Sequence, residues 1–139
     1  MAYEDGYNTY RSSNGVVNLA AIMGLGTAIR YLDAADMAKV EAHNLRLRNR
    51  LAERLAALNG LTLVSPPAGE QASPMLTALL EERFDRRAVT RALLERHQVA
   101  IRPTHPEFGF NGIRFSMHEF NTGADVDRAA DALRRELAA

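Results

Sequence analysis

The chain has 139 residues, 17 basic and 17 acidic side chains and no cysteine. That length allows a single core of useful size, while balanced charge argues against nucleic acid, because a small nucleic-acid-binding domain carries a basic excess. The missing thiols exclude disulfides, thiolate metal sites and cysteine nucleophiles. No apolar run approaches the length of a membrane span and residues 1–15 are too polar for a signal peptide, so a cytoplasmic domain with no membrane partner is expected.

In chain order, residues 1–15 show no apolar period and read as an irregular lead-in. Val16 to Leu32 places Val16, Val17, Leu19, Ile22, Met23, Leu25, Ile29 and Leu32 on more than one side of a helix. Such a helix needs cover on two faces. Asp33 to Asp36 interrupts it. A second helix then runs to about Leu58, with Val40, Leu47, Leu51, Leu55 and Leu58 on one stripe, Asn44 intruding, and Arg46, Arg50, Glu53 and Arg54 outward. Gly60 after Asn59 stops it.

Leu61 to Ser65 reads as a short strand, Pro66, Pro67 and Gly69 as a loop, and Met75 to Leu80 as a second strand. Asp85 caps a helix to about His97. Val99 to Arg102 is a third strand that Pro103 ends, and Thr104 to Asn111 is a loop. Gly112 to Met117 is the fourth strand, and Gly123 to about Leu137 the last helix, with Val126, Ala130, Leu133 and Leu137 inward. The expected fold is α+β: a two-layer sandwich of a mostly antiparallel four-stranded sheet, helices on one face, and a long N-terminal helical segment. Residues 1–139 are expected to form one domain, with the helices at 16–58 and the sandwich at 61–139.

The segment from Ile113 to Asp127 is the most informative. Ile113, Phe115 and Met117 alternate with Arg114, Ser116 and His118, the period of a strand with one buried face. Thr122 and Asp125 have the spacing of a capping box, so a helix starts there. Arg114 therefore points away from the core just before a tight turn. Its guanidinium is a planar, permanently charged fork that matches a carboxylate; on spacing alone it is either such a hook or a solvated surface charge.

This Arg-x-Ser strand, aromatic-Asn-Thr turn and acidic helix start resemble the C-terminal end of class V aminotransferases, fold-type I enzymes dependent on pyridoxal phosphate that include the cysteine desulfurases. Asn18 to Leu32 resembles the helix leading into their small C-terminal domain, and Val99-Ala100-Ile101-Arg102 its penultimate strand. The resemblance implies that Arg114 binds the α-carboxylate of a small amino-acid substrate. Arg102, at the loop-rich edge, either assists or only orients the following loop. It also implies cofactor contacts from the N-terminal segment. Asn18 matches the family's asparagine, but Val16 stands where a threonine would reach the phosphate. Ser12 or Ser13 would have to supply that hydroxyl, and helix capping by Ser12, Ser13, Asn14 or Asn18 is the alternative.

Other polar residues carry less. His105, His118, Glu107 and Glu119 lack the spacing of a metal-ligand set, so no metal is expected. Ser116 near His118 has neither an orienting acid nor an oxyanion turn. Lys39, the sole lysine, sits on a polar helix face. Pyridoxal phosphate chemistry needs a lysine, an acid at the pyridine nitrogen and a phosphate cup. In the family these come mainly from a large domain. The resemblance thus implies a small domain that needs a large cofactor-binding domain or partner chain, most simply in a homo-oligomer. No residue here is catalytic by itself. The rival expectation is a non-catalytic α+β module that binds a small ligand or dimerises.

Overall fold

The computed structural model describes residues 18–69 and 71–138. The chain divides into two compact units, Met1–Asp36 and Met37–Ala139. In the first, α1 spans Leu19–Ala35. Asn18 begins it by accepting the Ala21 N–H at 3.0 Å, which satisfies one of the donors orphaned at a helix start. The expected break at Asp33 to Asp36 shrinks to Asp36 alone, a left-handed residue (φ 63°) whose N–H donates to Asp33 O. No residue of α1 is buried; Leu19, Ile22, Met23, Leu25 and Ile29 are each more than half exposed.

The second unit is the expected α+β sandwich. α2 (Met37–Ala56) is followed by β1 (Leu61–Leu63), β2 (Met75–Leu80), α3 (Arg86–His97), β3 (Arg102–Pro103), a 3-10 turn at Pro106–Phe108, β4 (Gly112–Ser116) and α4 (Gly123–Ala138). The sheet order is β1-β2-β4-β3 and every pairing is antiparallel. Helices cover one face. Leu51 and Leu55 of α2, Leu76 of β2, Leu93 of α3, Ile113 of β4 and Leu133 of α4 meet there and are fully buried, each worth roughly 1.5–3 kcal/mol. Val126, Ala130, Leu133 and Leu137 of α4 point inward as their spacing requires.

Two strands differ from the sequence expectation for identifiable reasons. β1 ends at Leu63 because the Ser65 hydroxyl, not its backbone, takes the Thr77 N–H (2.8 Å). The third strand starts late because α3 leaves through a left-handed Gln98 (φ 57°), with the Val99 N–H returning to Leu93 O. Val99 to Ile101 are spent on that exit, and only Arg102 and Pro103 pair. Pro103 does not end the strand but belongs to it, which an edge strand permits because the missing N–H faces outward.

The stripe on α2 also contains a surprise. Arg48 is buried (2 % exposed), with Nη1 donating to Asn49 Oδ1 and Nη2 to the carbonyl of Pro66. No carboxylate pairs with it among the described residues, and its Nε, like Asn44 Oδ1 one turn earlier, has no partner. A buried cation held only by neutral acceptors is costly. Arg48→Met is expected to raise the unfolding free energy by about 1 kcal/mol, measured by urea denaturation. A loss of comparable size would show that the charge is compensated.

α2 and α4 are joined at their rims by Arg50 to Asp127 (2.7 Å), Arg54 to Asp127 (3.2 Å) and Arg54 to Asp131 (3.0 Å). The hydrogen bond from Arg50 holds the Asp127 carboxyl below its ordinary range. Hydrogen bonds from the Thr122 side chain and backbone do the same for Asp125. Depressed carboxyl values stabilise the fold above the unfolded value near pH 4 and lose that contribution as pH falls through the folded values. The denaturation midpoint is therefore expected to decline below about pH 4, and less steeply in Asp127→Asn.

Candidate functional site

The phase of β4 decides what the open face of the sheet displays. Ile113 (0 %) and Phe115 (3 %) enter the core, so Gly112, Arg114 and Ser116 face the other way, Arg114 and Ser116 exposed. Register then gives Arg114 its neighbours. It lies opposite Thr77 of β2 on one side and opposite Arg102 of β3 on the other. The two sequence-predicted arginines are thus a direct cross-strand pair, with Cα atoms about 4.5–5.5 Å apart.

Like charges placed directly opposite destabilise a sheet. Only some arginines are neutralised: Arg50, Arg54, Arg83, Arg96 and Arg134 each hold a carboxylate, whereas Arg48, Arg87 and Arg91 hold none among the described residues. The side chains of Arg102 and Arg114 form no ion pair or hydrogen bond among the described residues. Two exposed guanidiniums and the Thr77 hydroxyl on one row can together bind a carboxylate or another small oxyanion.

The loop joining β3 to β4 is pinned at its base. Thr104, buried, donates its N–H to Gly112 O (2.8 Å), and its hydroxyl accepts the Gly112 N–H (3.1 Å). The Asn111 side chain donates to Phe84 O (2.7 Å) and Glu81 O (3.2 Å). Beyond that base the loop carries aromatic rings. Phe108 stacks on Phe110 with centroids 5.9 Å apart and planes at 14°, and His105 meets Phe108 edge-on at 6.2 Å. Gly109 (φ 70°) closes the 3-10 turn in a conformation that favours glycine. Gly112 sits where a side chain would be crowded. A Cβ there would lie 3.1 Å from Ala78 O, a backbone atom, and 3.2 Å from Phe110 Cδ2.

After β4 the predicted capping box is present. Thr122 donates its N–H to Asp125 Oδ2 (2.8 Å), and the Asp125 N–H returns to Thr122 Oγ1 (3.3 Å). The preceding turn closes through the His118 N–H to Asn121 Oδ1 (2.9 Å), while His43 Nε2 donates to Asn121 O (3.0 Å). The His118 ring is exposed and stacks on Phe120, 5.0 Å between centroids. Ser116 and His118 share no hydrogen bond, and no group of three or more potential metal ligands exists among the described residues. Sequence reasoning missed the anchoring by Thr104, Asn111 and His43. Only the Asn-Gly dipeptide at Asn111-Gly112 hinted at a tight constraint there.

A profile of the class-V aminotransferases matches residues 3–129. The chain belongs to that family. It is 30% identical over 135 residues to a cysteine desulfurase of Yersinia pseudotuberculosis and 28% over 136 residues to a probable cysteine desulfurase of Mycobacterium leprae. Each alignment covers 91% of this chain and 32% of the relative, so the chain spans about a third of the length of these curated relatives. Among solved structures, a cysteine desulfurase of Escherichia coli superposes with a TM-score of 0.79 at 23% identity, over 93% of this chain and 33% of that one. One from Thermococcus onnurineus does so at 0.79 and 21%, over 89% and 32%. At these identities the superpositions establish a shared fold.

The family depends on pyridoxal phosphate, and the described residues of this class-V chain do not fit its attachment. Lys39, the sole lysine, is exposed in the first turn of α2, an element of the helical layer, whereas the arginine row is on the opposite face of the sheet. That row offers neither an amine nor an acid. Asn18 is engaged as the cap of α1. Ser12, Ser13, Asn14 and Val16 lie outside the described residues. No described helix is long and apolar enough to cross a membrane.

Proposed function

We propose that this chain supplies the substrate-carboxylate site of a pyridoxal-phosphate-dependent enzyme acting on amino acids, with Arg114 as the principal ligand and Arg102 as its assistant. The observation that carries this reading is the in-register pair of guanidiniums without a carboxylate partner among the described residues. A bound carboxylate would offset their mutual repulsion and accept charge-assisted hydrogen bonds, each worth about 1.5–3 kcal/mol. The Thr77 hydroxyl, next in the row, can donate to the same anion.

When bound, pyridoxal phosphate supplies the electron sink for amino-acid chemistry. In this reading the lysine, the acid and most of the phosphate cup come from a large domain or partner chain. The uncovered apolar side chains of α1 support the need for further polypeptide surface, and a homo-oligomer is the simplest source. Ser13 and Asn18 remain candidate phosphate contacts from the N-terminal segment. Persulfide transfer on this chain has no chemical basis, because the chain contains no thiolate.

The full chain titrated with propionate and followed by amide NMR is expected to shift around Arg114 and Thr77. Arg114→Ala should weaken binding about tenfold or more, Arg102→Ala less, and exposed Arg87→Ala not at all. An effect of Arg87→Ala equal to that of Arg114→Ala would reduce the site to net charge. Added pyridoxal phosphate, trapped by borohydride and read by mass spectrometry, should label Lys39 only substoichiometrically. Full labelling, lost in Lys39→Ala, would overturn the assignment of the lysine elsewhere.

A further inference from the structure

One hairpin carries both the guanidinium pair and the exposed aromatic rings, and they share a face. Gly112 has the same parity as Arg114 on β4, so its missing side chain would project from the open face. The position 3.2 Å from that absent Cβ is occupied by Phe110 Cδ2. Phe110 therefore lies over Gly112 on the open face, one same-face step from Arg114. Such a step is roughly 7 Å along a strand, about the reach from a carboxylate to a ring carried one or two carbons away.

The rings are held but not covered. Phe110 is 39% and Phe108 66% exposed, yet they stack on one another and rise from a base fixed by Thr104 and Asn111. Exposed rings on a pinned loop, next to charges that lack a counter-ion, form an amphiphilic surface. An anion alone satisfies only half of it. A ligand with a carboxylate at one end and an aromatic or bulky apolar group at the other satisfies both.

The geometry points to Phe110, backed by Phe108, as the specificity wall of the carboxylate site, which selects amino acids with aryl or large apolar side chains. This rests on Arg114 being the carboxylate ligand, and the two assignments can fail separately. The wall would stack on the substrate side chain while Arg114 and Arg102 fix the other end. On the far side of Arg114 the row continues through polar Thr77, and the nearest apolar side chain there is Val64, one strand further on, whose N–H donates to Thr77 O.

The test compares propionate with hydrocinnamate, its phenyl-substituted analogue, on the full chain by the same NMR titration. Hydrocinnamate is expected to bind about fivefold tighter through ring stacking, with shifts at Phe108 and Phe110. Phe108→Ala, at an exposed position, and Phe110→Leu, which keeps Gly112 covered, should each shrink that preference and leave propionate affinity unchanged. Equal affinities in the native chain, or a preference that survives in both variants, would overturn the wall. A preference abolished in these variants but indifferent to Arg114→Ala, with propionate equally indifferent, keeps the wall and overturns the carboxylate assignment. Melting curves of the two variants show whether a lost preference reflects lost folding; if Phe110→Leu melts early, Phe108→Ala decides.

Discussion

Burying Ile113 and Phe115 in the core with Leu51, Leu93 and Leu133 fixes the phase of β4, and a strand has only two phases. Every side chain on the open face inherits that choice. A slip by one residue would send Arg114 into the core, where an unpaired guanidinium costs more than the leucine-rich layer could offset. The antiparallel pairings to β2 and β3 then bring Thr77 and Arg102 to Arg114's row. The site is a consequence of hydrophobic burial on the other side of the sheet.

Much of this was legible in the sequence, in proportion to how local the cause is. β2 and α3 were bounded correctly because the short apolar run Met75–Leu80 after the Pro- and Gly-containing loop and the Asp85 cap are short-range signals. The Thr122–Asp125 capping box was legible for the same reason. Arg48 was not, although it sits on the stripe of Asn44, Leu47, Leu51 and Leu55. Arginine is seldom fully buried, so composition outweighed periodicity there. The facing of Arg102 and Arg114 could not be read at all, because register depends on how the loop between them folds. That loop is closed at its base by Thr104 and Gly112 and tied by Asn111 to the distant carbonyl of Phe84.

The functional reading has the same structure. Family membership is secure, and the chain covers about a third of its relatives' length. What the described residues display is charges set in a row, rings set on a pinned loop, and a helix whose apolar side chains are exposed. Shared fold and divided chemistry coexist without contradiction, since function resides in sites grafted on folds.

The sheet's two borders have a further consequence. β1 is three residues long and β3 two, one of them Pro103. Neither margin presents a run of free amide and carbonyl groups long enough to template another strand, and the proline removes a donor from one of them. Short edges and an edge proline disfavour the addition of another strand.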